Sequence, residues 1–335
     1  MWDWITSRPQ YCLKIGAHDL AWAEVHRNWR GRPHYKCVVS TLPEGVMRLS
    51  PLEPNIALPH ELESHIRAIT ASTTARTAAR PSSAGVPRAA TIILPDLAVR
   101  LAVLRLQELP WSSEERDALV RWRLGQEQLL SLNGAKVFSQ VLSEPGEAGD
   151  GPCTVLAVVV QEAVLAQYEG VCEAAGLIPQ EVDVSSLRLY NLWAEGILTA
   201  GGLTADVLWV NATDGGVTAF IFHHGTLVFL RSKLQAGTGS SGVWTPGFEQ
   251  AGLDRIVQEC ADSIYACQQQ TPDLAISQTI LIADELIFPG LQQQLEKGLG
   301  VPVKGLDWES IRQYGGGAIV GPQTNAALPA IAGVV

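Results

Sequence analysis

Residues 11–26 read YCLKIGAHDLAWAEVH, and residues 206–222 read DVLWVNATDGGVTAFIF. In each stretch a short apolar strand leads into a turn that contains Gly and Asp, and a second strand follows. A third strand closes both units, at Tyr35–Thr41 and at Leu227–Ser232. Because the same meander occurs twice, each time followed by helical segments, the sequence predicts two related lobes of the α/β class with mixed sheets.

The segment between the two meanders predicts an additional subdomain. Ser112 and Glu115 form a capping box, which predicts a helix from there to about Leu130. Strands are predicted before and after this helix, in the order strand, helix, strand, strand. The expected division is a first lobe over residues 1–88 and 183–200, an inserted subdomain over 89–182, and a second lobe over 201–335.

Composition and charge narrow the classes of function. Of 335 residues, 47% are hydrophobic and 17% are charged, which is typical of a globular protein. The net charge of −10 divides into +4 for residues 1–140 and −14 for residues 141–335, and an acidic second half argues against nucleic-acid binding. The longest apolar run, Thr154–Val160, has only the length of a strand, and Met1–Ile5 does not read as a signal peptide. We therefore expect a cytoplasmic protein.

Cysteine and histidine spacing indicates neither disulfides nor a metal centre. The six cysteines include no Cys-x-x-Cys pair, a pattern typical of reduced thiols in a core. The seven histidines show no spacing of metal ligands, and His223–His224 falls in a hairpin turn. The Gly-rich run Gly237–Gly242 resembles a phosphate cradle only superficially, because no strand-to-helix junction surrounds it. A flexible linker is the favoured interpretation.

Several local matches, in a fixed order along the chain, indicate a known family. They are Leu13–Ala17, Leu94–Arg100, Leu109–Pro110 before Arg121–Glu127, Glu173–Leu177 followed by Val182–Val184 and Asn191, and Pro289–Leu291 before Leu299–Val303. With the duplicated meander, they resemble the PilM family of type IV pilus assembly. A more distant likeness is to the cytoplasmic part of GspL of type II secretion. The resemblance implies an actin-like, ribonuclease H-like two-lobed fold, related to that of the cell-division protein FtsA, with an inserted strand-helix-strand-strand subdomain.

The resemblance also implies a partner. Proteins of the PilM family bind the cytoplasmic N-terminal segment of the membrane protein PilN, in a groove beside the inserted subdomain. We expect the helix that carries Arg121, Trp122 and Arg123 to lie at this groove. The residues themselves favour an anchor in the core for Trp122 and solvent-facing positions for the two arginines. Such a protein would be cytoplasmic, at the cytoplasmic face of the inner membrane, and could form homo-oligomers.

In an active actin-like ATPase two loops bind phosphate and carry acidic residues for the metal shell, and a Gly-Gly pair lets the adenosine approach the backbone. The equivalents that the resemblance assigns here are Lys14, Gly16 and Ala17 for the first loop, Asn211, Thr213, Asp214 and Gly215 for the second, and Asp284 and Glu285 at the adenosine position.

These equivalents depart from the ATPase pattern at three points. Lys14 and Asn211 replace the two acidic residues, and two carboxylates replace the Gly-Gly pair. The sequence therefore predicts a degenerate nucleotide site, a pseudo-ATPase without enzymatic activity, cofactor or metal, in which at most a vestigial ATP–Mg²⁺ site persists. The alternatives are an active actin-fold ATPase with atypical phosphate loops and a self-assembling protein similar to FtsA.

Overall fold

The structure is a computed structural model that describes residues 9–27, 30, 32–74, 87–128, 132–143, 153–200, 205–235, 250–306, 318–320 and 324–334. The predicted linker Gly237–Gly242 lies outside these residues. The strands in the described residues are β1 (Tyr11–Ile15), β2 (Asp19–Arg27), β3 (Pro33–Thr41), β4 (Arg88–Leu94), β5 (Arg100–Leu106), β6 (Ala135–Ser143), β7 (Cys153–Gln161), β8 (Leu177–Val184), β9 (Asp206–Ala212), β10 (Gly216–His223), β11 (Thr226–Leu234), β12 (Ile276–Ala283), β13 (Val303–Gly305) and β14 (Ala318–Val320).

The helices are α1 (Pro59–Thr74), α2 (Ser113–Gln128), α3 (Glu162–Ala174), α4 (Ser185–Ala200), α5 (Gln250–Gln268), α6 (Phe288–Leu299) and α7 (Leu328–Val334). Two short 3₁₀ turns, Asp96–Ala98 and Asn325–Ala327, lie after β4 and before α7. All six cysteines are buried and free, as their spacing predicts.

Two sheets of the structure repeat the same strand order. The first sheet has the order β14-β3-β2-β1-β4-β8, and the second has the order β11-β10-β9-β12-β13. In both, an antiparallel three-strand meander is continued by two parallel strands, because β1 pairs parallel with β4 and β9 pairs parallel with β12. This repeat confirms the two related α/β lobes that the duplicated meander predicts.

A third sheet forms the inserted unit. Its three antiparallel strands have the order β5-β7-β6, and α2 packs on them through Val120 and Leu124. The element order is therefore strand, helix, strand, strand, as predicted. One of the two hydrogen bonds of the capping box is present, since Glu115 N donates to Ser112 Oγ at 3.5 Å and α2 begins at Ser113.

The strands at the predicted domain boundaries lie elsewhere than expected. β4 and β8 pair with each other and with β1 in the first sheet, so the sheet of the inserted unit runs only over residues 100–161. β14 pairs with β3, and α7 packs against β1 and β2. The placement of residues 89–94 and 177–182 in the inserted subdomain, and of 318–334 in the second lobe, is therefore wrong. In the first lobe, β4, β8 and β14 pair with other strands and α7 makes an apolar contact. No local sequence signal predicts these contacts.

The two lobes share a core. Along β9, Val207 and Trp209 point toward the first lobe while their neighbours point toward α5 and α6, because strand side chains alternate between faces. Tyr190 of α4 lies 5.4 Å from Trp209 and 5.1 Å from Phe222, measured between ring centroids. Each fully buried side chain of this size contributes about 1.5–3 kcal/mol. The aromatic contacts therefore hold the second sheet against α4.

Candidate functional site in the cleft between the lobes

The hairpin turns of the two meanders face each other across the cleft, and a buried lysine joins them. Lys14 is the fourth residue of β1 and is only 2% exposed. Its Nζ lies 2.6 Å from Asp19 Oδ1, on the far side of the first turn, and 3.2 Å from Asp214 Oδ1, in the second turn. The position that the family resemblance assigns to a metal-shell acid is thus part of an ion pair between the lobes.

Asp214 also binds the backbone of the first turn. The Ala17 N–H donates to Asp214 Oδ1 at 2.8 Å. A Cβ atom added to Gly16 would lie 2.5 Å from the same oxygen and 2.6 Å from Asp19 Oδ1, so glycine is required at this contact. In a phosphate-binding loop such an N–H group faces a phosphate oxygen. Here it faces a carboxylate of the opposite lobe.

The second turn is tight. Asp214 and Gly215 both have positive φ, 53° and 72°, and Gly216 N donates to Thr213 O at 3.0 Å. This is the Asp-Gly pair that a two-residue hairpin turn of type I′ favours. The Gly215 carbonyl accepts from Gln235 N at 3.1 Å. The predicted second phosphate loop is therefore a closed turn.

Asn211 takes part in a separate buried network. Its Nδ2 donates to Ser186 Oγ at 2.6 Å and lies 3.4 Å from Asp96 Oδ2. Ser186 donates to Asp96 through both its backbone N–H, at 2.9 Å, and its hydroxyl. Thr213 Oγ1 donates to Asn211 Oδ1 at 3.1 Å. The network joins the end of β9 to the turn after β4 and to the first residues of α4, so it also connects the lobes.

The two carboxylates at the adenosine position have different surroundings. Asp284 lies next to the ion pair, and its backbone N–H donates to Ala212 O at 3.1 Å. Glu285 instead accepts a hydrogen bond from Asn325 N, while Asn325 Nδ2 donates to Ala283 O at 2.7 Å. Glu285 therefore ties β12 to the segment that leads into α7 and the first lobe.

Burial and the neighbouring charges together shift the pKa values of the cluster. Although burial alone lowers the pKa of Lys14, the neighbouring Asp19 and Asp214 outweigh it, so the pKa lies above its ordinary value and the lysine stays charged. Burial raises the pKa of Asp19, and the repulsion of Asp214 adds to this. The pKa of Asp284 is raised well above its usual range, first by burial and then by Asp214. The positive charge of Lys14 is therefore shared by the carboxyl groups of Asp19, Asp214 and Asp284.

Three residues of the cleft were missing from the predicted set. Asp19 lies opposite Lys14 because the first hairpin folds back at Gly16, where Gly16 N donates to Asp19 O at 2.9 Å. Asp96 follows the buried strand β4 directly, a position where polar groups of open α/β sheets collect, so its place at a strand end was a usable signal. Ser186 had no such signal, because only the tertiary fold brings α4 to the cleft.

A second candidate site is a groove of about 560 Å³ beside the inserted unit. It is lined by the last residues of β5 and the chain that follows, from Arg105 to Trp111, and by one side of α2. Arg105 fixes this chain to the second lobe, since its guanidinium donates to Gln270 O at 3.0 Å and to Thr271 Oγ1 at 2.6 Å.

Trp122 is 58% exposed and lines this groove, and Trp111 is fully exposed beside it. The alternative interpretation of Trp122 as a core anchor is therefore wrong, because Val120 and Leu124 form the buried face of α2. Arg123 also lines the groove. Arg121 is exposed outside the groove lining, with Nη1 3.5 Å from Ala135 O.

The repeated sheets around a central cleft, with a small sheet inserted in the first lobe, define the chain as a two-lobed protein of the actin-like fold. It is similar to a chain of the PilM–PilN type IV pilus biogenesis complex, with a TM-score of 0.73, 20% identity, and coverage of 98% of this chain and 99% of that one. The expected fold is thereby confirmed.

Two further solved structures are more distant. One is a Bacteroides thetaiotaomicron protein with an actin-like ATPase fold and unknown function, with a TM-score of 0.47, 10% identity, and coverage of 91% and 94%. The other is the cytoplasmic domain of EpsL, an inner membrane component of the Vibrio cholerae type II secretion system, with a TM-score of 0.35, 12% identity, and coverage of 72% and 77%. No protein-family model and no curated protein matches the sequence. None of the helices in the described part of the chain has the length and hydrophobicity needed to span a bilayer.

Proposed function

We propose that this chain is a non-catalytic adaptor of a type IV pilus or type II secretion assembly platform. In this role it is a cytoplasmic protein at the inner membrane and binds the cytoplasmic N-terminal segment of a PilN-like membrane protein. The observation that carries the proposal is the groove with two exposed indoles, Trp111 and Trp122, on the inserted unit. The full-length likeness to a chain of the PilM–PilN complex supports the type of partner.

The groove has the features of a peptide site. Exposed tryptophans are uncommon on a surface that has no partner, and tryptophan is enriched among the residues that dominate binding energy. Arg105 and Arg123 flank the indoles, and Glu108 is the one acidic residue of the lining. We expect an extended segment that places apolar side chains on the indoles and carries at least one carboxylate toward the arginines.

The contacts in the cleft support a degenerate nucleotide site. A triphosphate would have to displace Asp214 from the Ala17 N–H and from Lys14, and it would then meet three carboxyl groups. Like charges at such short range, in a buried site, disfavour this exchange. Asn211 is held by Ser186 and Asp96 and is not free to orient water around Mg²⁺. We therefore expect no ATP turnover.

The second candidate function is an actin-fold ATPase with atypical loops. It is favoured by one observation, namely that both hairpin turns still face one another across the cleft. Calorimetric titration with ATP and Mg²⁺ distinguishes the two functions. Binding at low micromolar concentration together with phosphate release would establish the enzyme and remove the pseudo-ATPase assignment.

The adaptor is tested with a synthetic peptide that represents the cytoplasmic N-terminal tail of a PilN-like, single-span membrane protein, to be sought among the genes adjacent to this one. We expect the full chain to bind it and the tail to protect backbone amides of Arg105–Trp111 and of α2 from hydrogen exchange. Trp122→Ala should weaken binding by about 2 kcal/mol, roughly thirtyfold. Tyr265→Ala is the matched control, because Tyr265 is an exposed aromatic residue on α5 that does not line the groove. Equal loss in both variants, or uniform exchange with and without the peptide, would contradict the proposal.

A further inference from the structure

The hairpin between β10 and β11 carries a cluster of metal-ligating groups at the end of the second lobe that is opposite the cleft. Asp206 is the first residue of β9 and His223 is the last residue of β10, so the cluster is about 20 Å from Asp214 at the usual rise of about 3.3 Å per residue. In the described residues, Asp206, His223 and His224 are the one group of three whose ligand atoms all lie within 4.8 Å of one another. The histidine spacing alone did not reveal this group, because Asp206 reaches the two histidines only when the strands pair.

We propose that Asp206, His223 and His224 bind a divalent transition-metal ion of the zinc type, with water as the fourth ligand. His223 Nδ1 lies 2.9 Å from Asp206 Oδ1. Two ligands that are each about 2.1 Å from a tetrahedral ion are about 3.4 Å apart, so a small widening of this hydrogen bond admits the ion. Imidazole and carboxylate together suit zinc and its neighbours better than they suit calcium or magnesium.

The surroundings of the cluster match those of a metal site. His223 Nε2 lies 3.4 Å from Asp273 Oδ2, so a carboxylate orients the ring from the side opposite Asp206. The second oxygen of Asp206 accepts from Ala275 N at 2.7 Å, which fixes the carboxylate in place. Two neutral imidazoles and two carboxylates balance the charge of a divalent ion.

The ion would join three parts of the second lobe, namely the start of β9, the β10–β11 turn and the chain before β12. An ion bound at His223 Nδ1 takes the place of the proton shared with Asp206, and the proton of the neutral imidazole then lies on Nε2, toward Asp273 Oδ2. The inference does not rest on the adaptor function, since none of the three ligands lines the groove and the cluster lies at the end of the second sheet away from the cleft. Its role is to hold the second lobe rigid.

His224 offers a variant that keeps the turn intact. His224 and Gly225 have φ values of 48° and 78°, the positive pair of a type I′ turn, in which Asn is the favoured first residue. His224→Asn therefore removes the imidazole ligand and keeps a residue that readily adopts the positive φ of this turn. His60→Asn is the matched control, because His60 is fully exposed on α1.

The test is titration of the chelator-treated full chain with Zn²⁺ and with Co²⁺. We expect one ion per chain, a rise in the melting temperature, and the visible bands of tetrahedral Co²⁺ without the thiolate charge-transfer band that a cysteine site would give. His224→Asn should weaken binding at least about tenfold and Asp273→Asn about tenfold, as loss of outer partners does in known sites, while His60→Asn binds as the parent does. Absence of binding, a thiolate band, or unchanged affinity in His224→Asn would overturn the proposal.

Discussion

Replacing Lys14 with methionine removes the cation that pairs with Asp19 and Asp214 and keeps a side chain of similar length. The Nζ of Lys14 lies 2.6 Å from Asp19 Oδ1 and 3.2 Å from Asp214 Oδ1, and its side chain is 3% exposed. Removing one partner of a buried ion pair costs about 3–5 kcal/mol, because the other charge stays buried without compensation. Since two carboxylates share this lysine, we expect Lys14→Met to lower the free energy of unfolding by about 4–5 kcal/mol at pH 7.

The assay is urea unfolding of the variant beside a matched control. Lys233 Nζ lies 2.7 Å from Glu259 Oε1, nearly the same distance, but the Lys233 side chain is 41% exposed. Solvent screens such a pair, so Lys233→Met should cost less than about 1 kcal/mol. The difference between the two variants measures the effect of burial on the same type of ion pair.

The pH dependence provides a second test of the same reasoning. In the parent chain the pKa of Lys14 is raised, so its contribution to stability is complete below its ordinary pKa of about 10.5 and is lost at higher pH. Without the lysine, the buried carboxyl groups take up protons at a higher pH than they do in the unfolded chain. The difference in the free energy of unfolding between the parent chain and Lys14→Met should therefore shrink as the pH falls from 7 to 5. If Lys14→Met and Lys233→Met lose unfolding free energies that agree within about 1 kcal/mol at pH 7, the buried ion pair is refuted.

Two further predictions concern buried groups. Because the pKa of Asp284 is raised by burial and by Asp214, its ionisation opposes folding as the pH rises above the unfolded value of about 3.9. Asp284→Asn should therefore raise the melting temperature at pH 7 and have little effect at pH 4, and equal melting temperatures at pH 7 would contradict this. Burial raises the pKa of the thiols of Cys37, Cys172 and Cys260 to about 12, so we expect Ellman's reagent to label none of them in the native chain and all of them in urea. Rapid labelling of the native chain would show that these thiols are accessible.

The fold could largely be predicted from the sequence because its main signal is local and duplicated. Gly16 and Gly215 mark turns between alternating strands in both halves, and the two sheets have the matching order that this repeat implies. The return of the C-terminal segment could not be predicted. β14 has three residues and α7 has seven, and a short apolar segment does not specify which of two sheets it joins.

The candidate site was only partly predictable, for a related reason. Lys14 and Asn211 could be identified because each lies near the end of the first strand of a meander, where the family resemblance places the metal-shell acids. Their present partners could not, since Asp214 is 200 residues from Lys14 and Ser186 is 25 residues from Asn211 along the chain. The position of Trp122 in the groove could not be predicted either. The sequence favoured Trp122 as a core anchor, but the buried face of α2 is the one with Val120 and Leu124.

The contacts across the cleft also bear on how an adaptor of this fold would respond to its partner. A ligand bound between two lobes bridges them only while it is bound. Here the bridges are protein groups: the Lys14–Asp214 ion pair, the Asn211–Ser186 hydrogen bond, and the Glu285–Asn325 contact. Such bridges persist without a ligand, which favours a single arrangement of the lobes. Arg105 also fixes the groove relative to the lobes, because it joins the inserted unit to the second lobe. A membrane partner bound at Trp122 would then be held at a fixed position relative to both lobes, as a scaffold requires and a nucleotide-driven switch does not.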